Sequence, residues 1–305
     1  MVCFRACRTA GLLLLGCAAP LAEHAESGTV EGFAAVSSRV SKDYVRTKSP
    51  DGSFQAEGYT LADAGHLNGP IRDASFDKVS FQDVARSLVG PLAAQGYVPA
   101  KDVANQRLII LVYWGTTHVP DPFSGSPGYR SYQNAKSSLD HQGNGTANTL
   151  NGPAVRATLG AAEQQMAAEN MLRNQIDLRN AQLLGYDSEG LVGTDLGALA
   201  GHTGVTGALQ DELISEVEDT RYFVVLMAYD AQVFLKEKKR VLLWETRFSI
   251  SEAHNFFDRA LPKMAQYASN YFGQDSKGLM RKPVPKGRVE MGEPKQVGTG
   301  DPSAK

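Results

Sequence analysis

Cysteine is scarce in this chain and confined to its start: the three present are Cys3, Cys7 and Cys17. If the chain is cut before Cys17 and that residue is lipidated, no free thiol remains, and a disulfide framework, a cysteine metal site and a cysteine nucleophile are all excluded from the body. Histidine is nearly as sparse. The six are scattered, with no HxxxH or HxH pairing. Charge of one sign is also missing, since 31 basic residues face 33 acidic ones for a formal net charge of −2. Removing Arg5 and Arg8 with a leader makes that −4. No basic surplus points to nucleic acid as a partner. Long hydrophobic runs are absent too. The apolar stretch Ala10–Leu15 falls far short of the roughly 20 residues that cross a bilayer. Standard catalytic motifs are missing: no G-x-S-x-G elbow, no phosphate-binding glycine loop after a strand, no HExxH and no EF-hand loop. No cofactor is therefore expected.

What is present begins with that short apolar stretch behind Arg5 and Arg8, the layout of a secretory signal. Pro20 or Glu23 spoils each ordinary cleavage site nearby. Leu14-Leu15-Gly16-Cys17 resembles a bacterial lipobox, and the resemblance implies that Cys17 becomes the lipidated first residue. With Ala18 and not Asp next to it, the usual sorting rule places such a lipoprotein at the outer membrane, facing the periplasm. The alternative is a cleaved, soluble periplasmic protein.

Residues 17–43 read as an N-terminal linker and 44–280 as one α/β domain. Tyr44–Asp63 reads as a hairpin around a type I turn at Ser49–Gly52. Ser80 and Asp83 form a near capping box for a helix whose apolar face is Phe81, Val84, Leu88 and Leu92. Gly90-Pro91 is expected to kink or break it, and Gly96 to stop it. Arg107–Thr117 and Arg221–Ala231 are almost continuously apolar, as strands buried on both faces are. "KEKKR" reads as a charged turn, and "VLLWETRFSI" as a half-buried strand completing a hairpin. A closing helix carries Phe257, Leu261, Met264, Ala268 and Phe272, with Asn255 as its cap, a bend at Pro262 and an end at Gly273. The pattern is ββ-α-β, a long insertion over 115–218, then ββ-α: a mixed sheet with helices packed on it. The insertion is the natural cover for the second sheet face. Residues 281–305, rich in Pro, Gly and Lys, are expected to be disordered.

Within the insertion, Gly115–Pro153 reads as a long, partly disordered loop, and Ala154–Leu184 as the clearest helix in the chain. Its narrow apolar stripe suggests a helix that projects from the core or pairs with another. Gly193, Gly197 and Gly201 recur four apart. They fit a flexible loop, a close-packed helix face that could serve a homo-oligomer, or a membrane-inserted segment. Leu209, Leu213, Ile214 and Val217 form a short amphipathic helix.

The candidate binding cluster is Tyr113, Trp114, Thr116, Thr117, His118 and Asp121, at the carboxyl end of a central strand, where α/β sheets often bind ligands. Its rival reading is core aromatics followed by an exposed loop. Asp230 reads as turn chemistry, and Glu245 with Arg247 as a solvated pair. The segments "SFQDVARSLVGPLAAQGY", "RLIILVYWGTT", "LMAYDAQVFLKEKKRVLLWETRFSI" and "NFFDRALPKMAQYASNYFGQ" resemble, in this order, a group of bacterial envelope lipoprotein domains with an "Asp…Leu-Trp" hairpin and a closing helix. That group carries no activity to transfer. The resemblance implies location and architecture. The function expected is that of a membrane-anchored binding or assembly component, with an envelope protein or a second copy as partner. The alternative is a periplasmic hydrolase or small-ligand binder using the 113–121 loop.

Overall fold

The computed structural model describes residues 30–69, 72–102, 105–119, 123–142, 152–186 and 207–285. Its frame is a seven-stranded mixed sheet. The strands are β1 Val30–Val40, β2 Glu57–Leu67, β3 Tyr97–Pro99, β4 Leu108–Thr116, β5 Arg221–Asp230, β6 Leu242–Ser251 and β7 Leu279–Pro285. They lie in the order β3-β2-β4-β5-β6-β1-β7. β2 is parallel to β3 and β4; the other pairs are antiparallel.

β4 and β5 are neighbours at the centre, as their apolar runs require. From Arg221 to Leu226, β5 is buried on both faces, whereas β4 alternates buried Leu108, Ile110, Val112 and Trp114 with half-buried Ile109, Leu111 and Tyr113. A strand with no polar side must be covered twice, and two helical layers do this.

The first layer is α1 Ala74–Asp77, α2 Phe81–Ala94 and, later in the chain, α7 Phe257–Ala268. Val84, Leu88 and Leu92 of α2 meet Leu261, Met264 and Ala268 of α7 over Ile110, Val112, Val224, Leu226, Trp244 and Phe248. Ser80 and Asp83 form a complete capping box: the Asp83 N–H donates to Ser80 Oγ at 3.3 Å, and the Ser80 N–H to Asp83 Oδ2 at 3.0 Å. The helix is not broken at Pro91 but runs on to Ala94. Gly96 then turns the chain at φ +76°, with Phe54 O only 2.9 Å from where a Cβ would sit. Asn255 does not cap α7; its amide donates to Ser251 O at 2.9 Å. The first N–H of α7, at Phe257, instead donates to Ser75 Oγ of α1 at 2.9 Å. A partner remote in sequence thus supplies the acceptor that a helix start requires.

The insertion supplies the second layer. α3 Pro127–Gln142 packs along α4 Gly152–Leu184, and α5 Gly207–Val217 leads into β5. Ala181, Leu184, Tyr186 and Val217 cover Ala35, Phe223 and Val225. Only the last two turns of α4 reach the sheet. Earlier, among the described residues, its exposed and half-exposed positions are interrupted only by buried Ala162.

Several elements differ from expectation. The linker reading of 17–43 fails over Val30–Val40, which is β1, held between β6 and β7. Its buried residues are small, Ala34, Ala35, Val36, Ser37 and Ser38, so no large apolar periodicity marked it. The tail reading of 281–305 fails over 281–285, which belong to β7. This is an edge strand, where Pro283 and Pro285 are tolerated because a missing N–H can face outward. The Ser49–Gly52 turn forms, with the Gly52 N–H donating to Ser49 O at 2.9 Å. It joins only an isolated Lys48–Phe54 bridge, and no hairpin spans Tyr44–Asp63. The connection between β5 and β6 is not a bare charged turn but α6, Ala231–Glu237. Asp230 caps it, accepting from the Val233 N–H at 3.0 Å and pairing with Arg107 at 2.6 Å. The Gly115–Pro153 loop contains a 3-10 turn at Phe123–Gly125 and all of α3.

Candidate functional site

The carboxyl end of β4 does not gather its predicted residues. Successive strand residues point to opposite faces. Trp114 enters the first core, 2% exposed, and stacks on His66 at 5.4 Å and Phe81 at 6.1 Å. Tyr113 faces the other layer and meets Phe223 at 5.7 Å. Thr116 and Thr117 are buried. Thr117 Oγ1 donates to Asp219 O at 3.1 Å and accepts from the Arg221 N–H at 2.9 Å, which joins two chain segments. The His118 side chain is exposed, and its carbonyl accepts from Asn180 Nδ2 at 2.6 Å. The binding cluster expected from sequence is thus two core aromatics, a hydroxyl clasp and an exposed loop residue. Asp121, Gly193, Gly197, Gly201 and Cys17 lie outside the described residues.

A different concavity opens on the insertion side of the sheet. Antiparallel pairing sets Ser37 opposite Arg247 and Arg39 opposite Glu245. Residues two apart on a strand share a face, so these four form a fixed rectangle. The end of α4 forms its wall with Arg179, Gln182 and Leu183, followed by Gly185 and Tyr186. Gly185, at φ +79°, lets the chain turn hard against β1; a Cβ there would sit 2.6 Å from that of Ser37. The resulting open cleft holds about 370 Å³. It gathers three guanidinium groups and one carboxylate, and Arg247 Nε donates to Glu245 Oε1 at 2.5 Å. The sequence marked only Glu245 and Arg247. Arg39 and Arg179 come from distant segments, and β1 carried no signal that would place Arg39 beside them.

Beside the cleft, a buried ion network ties α5 to four strands, β1, β5, β6 and β7. Glu216 accepts from Tyr186 Oη and Arg281 Nη2, and Arg221 lies 3.9 Å from it. Arg221 Nη2 also donates to Phe33 O at 2.5 Å, and Nε to Ser249 Oγ at 3.3 Å. Arg281 pairs with Glu212 at 2.8 Å. Burial opposes the Arg281 charge, but hydrogen bonds to Glu212 and Glu216 outweigh it and raise its pKa. Burial, foremost, pushes the Tyr186 phenol up. Buried charges persist when paired and hydrogen-bonded in this way.

One buried carboxylate has no such support. Asp177 of α4 is 4% exposed, and neither of its oxygens has a hydrogen-bond partner; Asn180 Oδ1, one turn on, has none either. Burial, then repulsion from Glu218, pushes the Asp177 pKa up to about 6, against the pull of Arg173. Among the described residues, no group of three His, Cys, Asp or Glu could hold a metal ion, and no helix is long and apolar enough to cross a membrane. Set beside known proteins, the chain matches no family model and no curated protein.

Proposed function

We propose that this chain is an exported lipoprotein, held through acylated Cys17 at the outer membrane with its body in the periplasm, and that it works there by binding, as an assembly component and not as an enzyme. The leader supports the tether: a basic start, a short apolar run and Leu14-Leu15-Gly16-Cys17. One acyl chain binds membranes marginally, whereas two or more hold firmly, and a bacterial lipoprotein cysteine carries several.

The observation that carries the binding role is the α3–α4 arm. α4 has 33 residues, a length of about 50 Å at 1.5 Å per residue. Only its last two turns are needed to cover the sheet. α3, 16 residues long, pairs with part of the rest, its start lying against Glu169, and Met171 and Leu172 are left 68% and 59% exposed. Each such side chain gains about 1.5–3 kcal/mol when fully buried, so a partner that covers the arm is rewarded. The partner is another envelope protein or a second copy of this chain.

The test is a photo-cross-linker placed at Leu172 in intact cells, with Lys263 on the opposite layer as control. A discrete adduct from Leu172 and none from Lys263 is expected. No adduct from Leu172, or the same adducts from both positions, would defeat the reading.

A further inference from the structure

We propose that the α3–α4 arm binds a second copy of this chain, the exposed faces of two α4 helices meeting antiparallel about a two-fold axis level with Met166. This pairing rests on the arm's role as the binding element and names its partner. α4 has two unlike faces. α3 starts against Met166 and Glu169, and buried Ala162 with half-buried Leu159 and Met166 lie on that side at spacings of three and four. The opposite side repeats at the same spacings from Ala154 to Leu178, a seam about 36 Å long at 1.5 Å per residue. Its positions are exposed as far as Gln175, and Leu178 is half-buried. None carries a charge: Arg156, Glu163, Glu169, Arg173, Asp177 and Arg179 all fall off the seam. A solvated helix face is ordinarily charged, whereas depletion of charge marks the core of an interface. Alternate spacings of three and four are also the repeat by which two helices interlock.

The sizes along the seam identify the partner. The first half is small, with Ala154, Ala157 and Ala161; the second is large, with Met171, Gln175 and Leu178. A partner of uniform width leaves gaps at one end or clashes at the other, and close packing tolerates neither. The complement is a seam that runs from large to small, which is this seam read backwards. With Gln164 set against Ala168, two antiparallel copies place Ala161 against Met171, Ala157 against Gln175 and Ala154 against Leu178. Thr158 then meets Leu172, which is 59% exposed in the single chain. Each large side chain faces a small one, and the two-fold axis repeats every such contact in mirror order along the pair. A parallel pair stacks alanine on alanine at one end and crowds methionine and leucine at the other. The footprint is about 36 Å by 10 Å on each copy, small for a stable complex. Association therefore depends on copies crowded together, as chains tethered to one membrane are.

Single cysteines test the pairing in intact cells treated with a short bis-maleimide. The parent chain, whose own cysteines are Cys3, Cys7 and Cys17, is the control. Ala167 is exposed and meets its own copy beside the axis, so Ala167→Cys should give a covalent dimer absent from the parent. Ala157→Cys and Gln175→Cys, also at exposed positions, should link to each other when co-expressed and neither to itself. Adding Ala161→Glu should lower the Ala167→Cys dimer by roughly tenfold or more, because burying an unpaired carboxylate is costly, with the thermal melt unchanged. No dimer from Ala167→Cys overturns the proposal. So does self-linking of Ala157→Cys as strong as that of Ala167→Cys, which marks a parallel or collisional contact, and so does a dimer that Ala161→Glu leaves intact. A missing Ala167→Cys dimer beside a Leu172 photo-adduct to a different protein removes self-pairing and leaves the binding role standing; loss of both removes both.

Discussion

Replacing Asp177 with Asn should stabilise the protein at neutral pH. Asp177 lies where α4 meets the sheet layer, beside Asn180, whose amide ties α4 to His118 O and to Val217 O. Its two oxygens are buried and accept nothing. The folded pKa of about 6 stands above the ordinary 3.8, so the folded state holds the proton more tightly than the unfolded chain. The associated stability is present in full below about pH 4 and is lost as the pH rises through about 6. At about 1.36 kcal/mol per pKa unit, the loss at neutral pH comes to about 3 kcal/mol. Asn keeps the shape and removes the charge. Urea unfolding at pH 7.5 should give a higher midpoint for the variant with the slope unchanged. At pH 4 the two proteins should converge. A variant no more stable than the parent at pH 7.5, or a gap that persists at pH 4, would refute the reasoning.

Leu88→Ala in the fully buried α2 face should cost about 2–5 kcal/mol, read as a lower urea midpoint. Arg46→Ala should loosen the segment before β2. Its guanidinium lies 4.2 Å from the Phe54 ring and 4.1 Å from that of Tyr97, and limited proteolysis should cut the variant between 41 and 56 faster than the parent.

The parts of the fold legible in the sequence are those with local signatures. Arg107–Thr117 and Arg221–Ala231 declare central strands because nothing interrupts their apolar runs, and Ser80 with Asp83 declares a helix start because a capping box is complete within four residues. Two faces of apolar side chains also imply two covers, which assigned the insertion its structural role. β1 was hidden because it buries alanine and serine, which look the same in a linker. β7 was hidden because Arg281 and its prolines read as a solvated tail until Glu212 and Glu216, some seventy residues earlier, are seen opposite. The acceptor at the start of α7 is not the nearest polar residue, Asn255, but Ser75, which is remote in sequence and so leaves no local signature. The arginine cleft is legible only in three dimensions: Ser37, Arg39, Arg179, Glu245 and Arg247 become neighbours through sheet register and the landing point of α4.

The functional reading rests on the body being exported and tethered at its first residue. The direct measurement is intact-mass analysis of the native protein extracted from cell membranes, with fragmentation of its N-terminal peptide. A mature chain beginning at Cys17 and carrying several acyl groups is the result expected. A chain beginning beyond Cys17, or one with Cys17 present and unmodified, would contradict it.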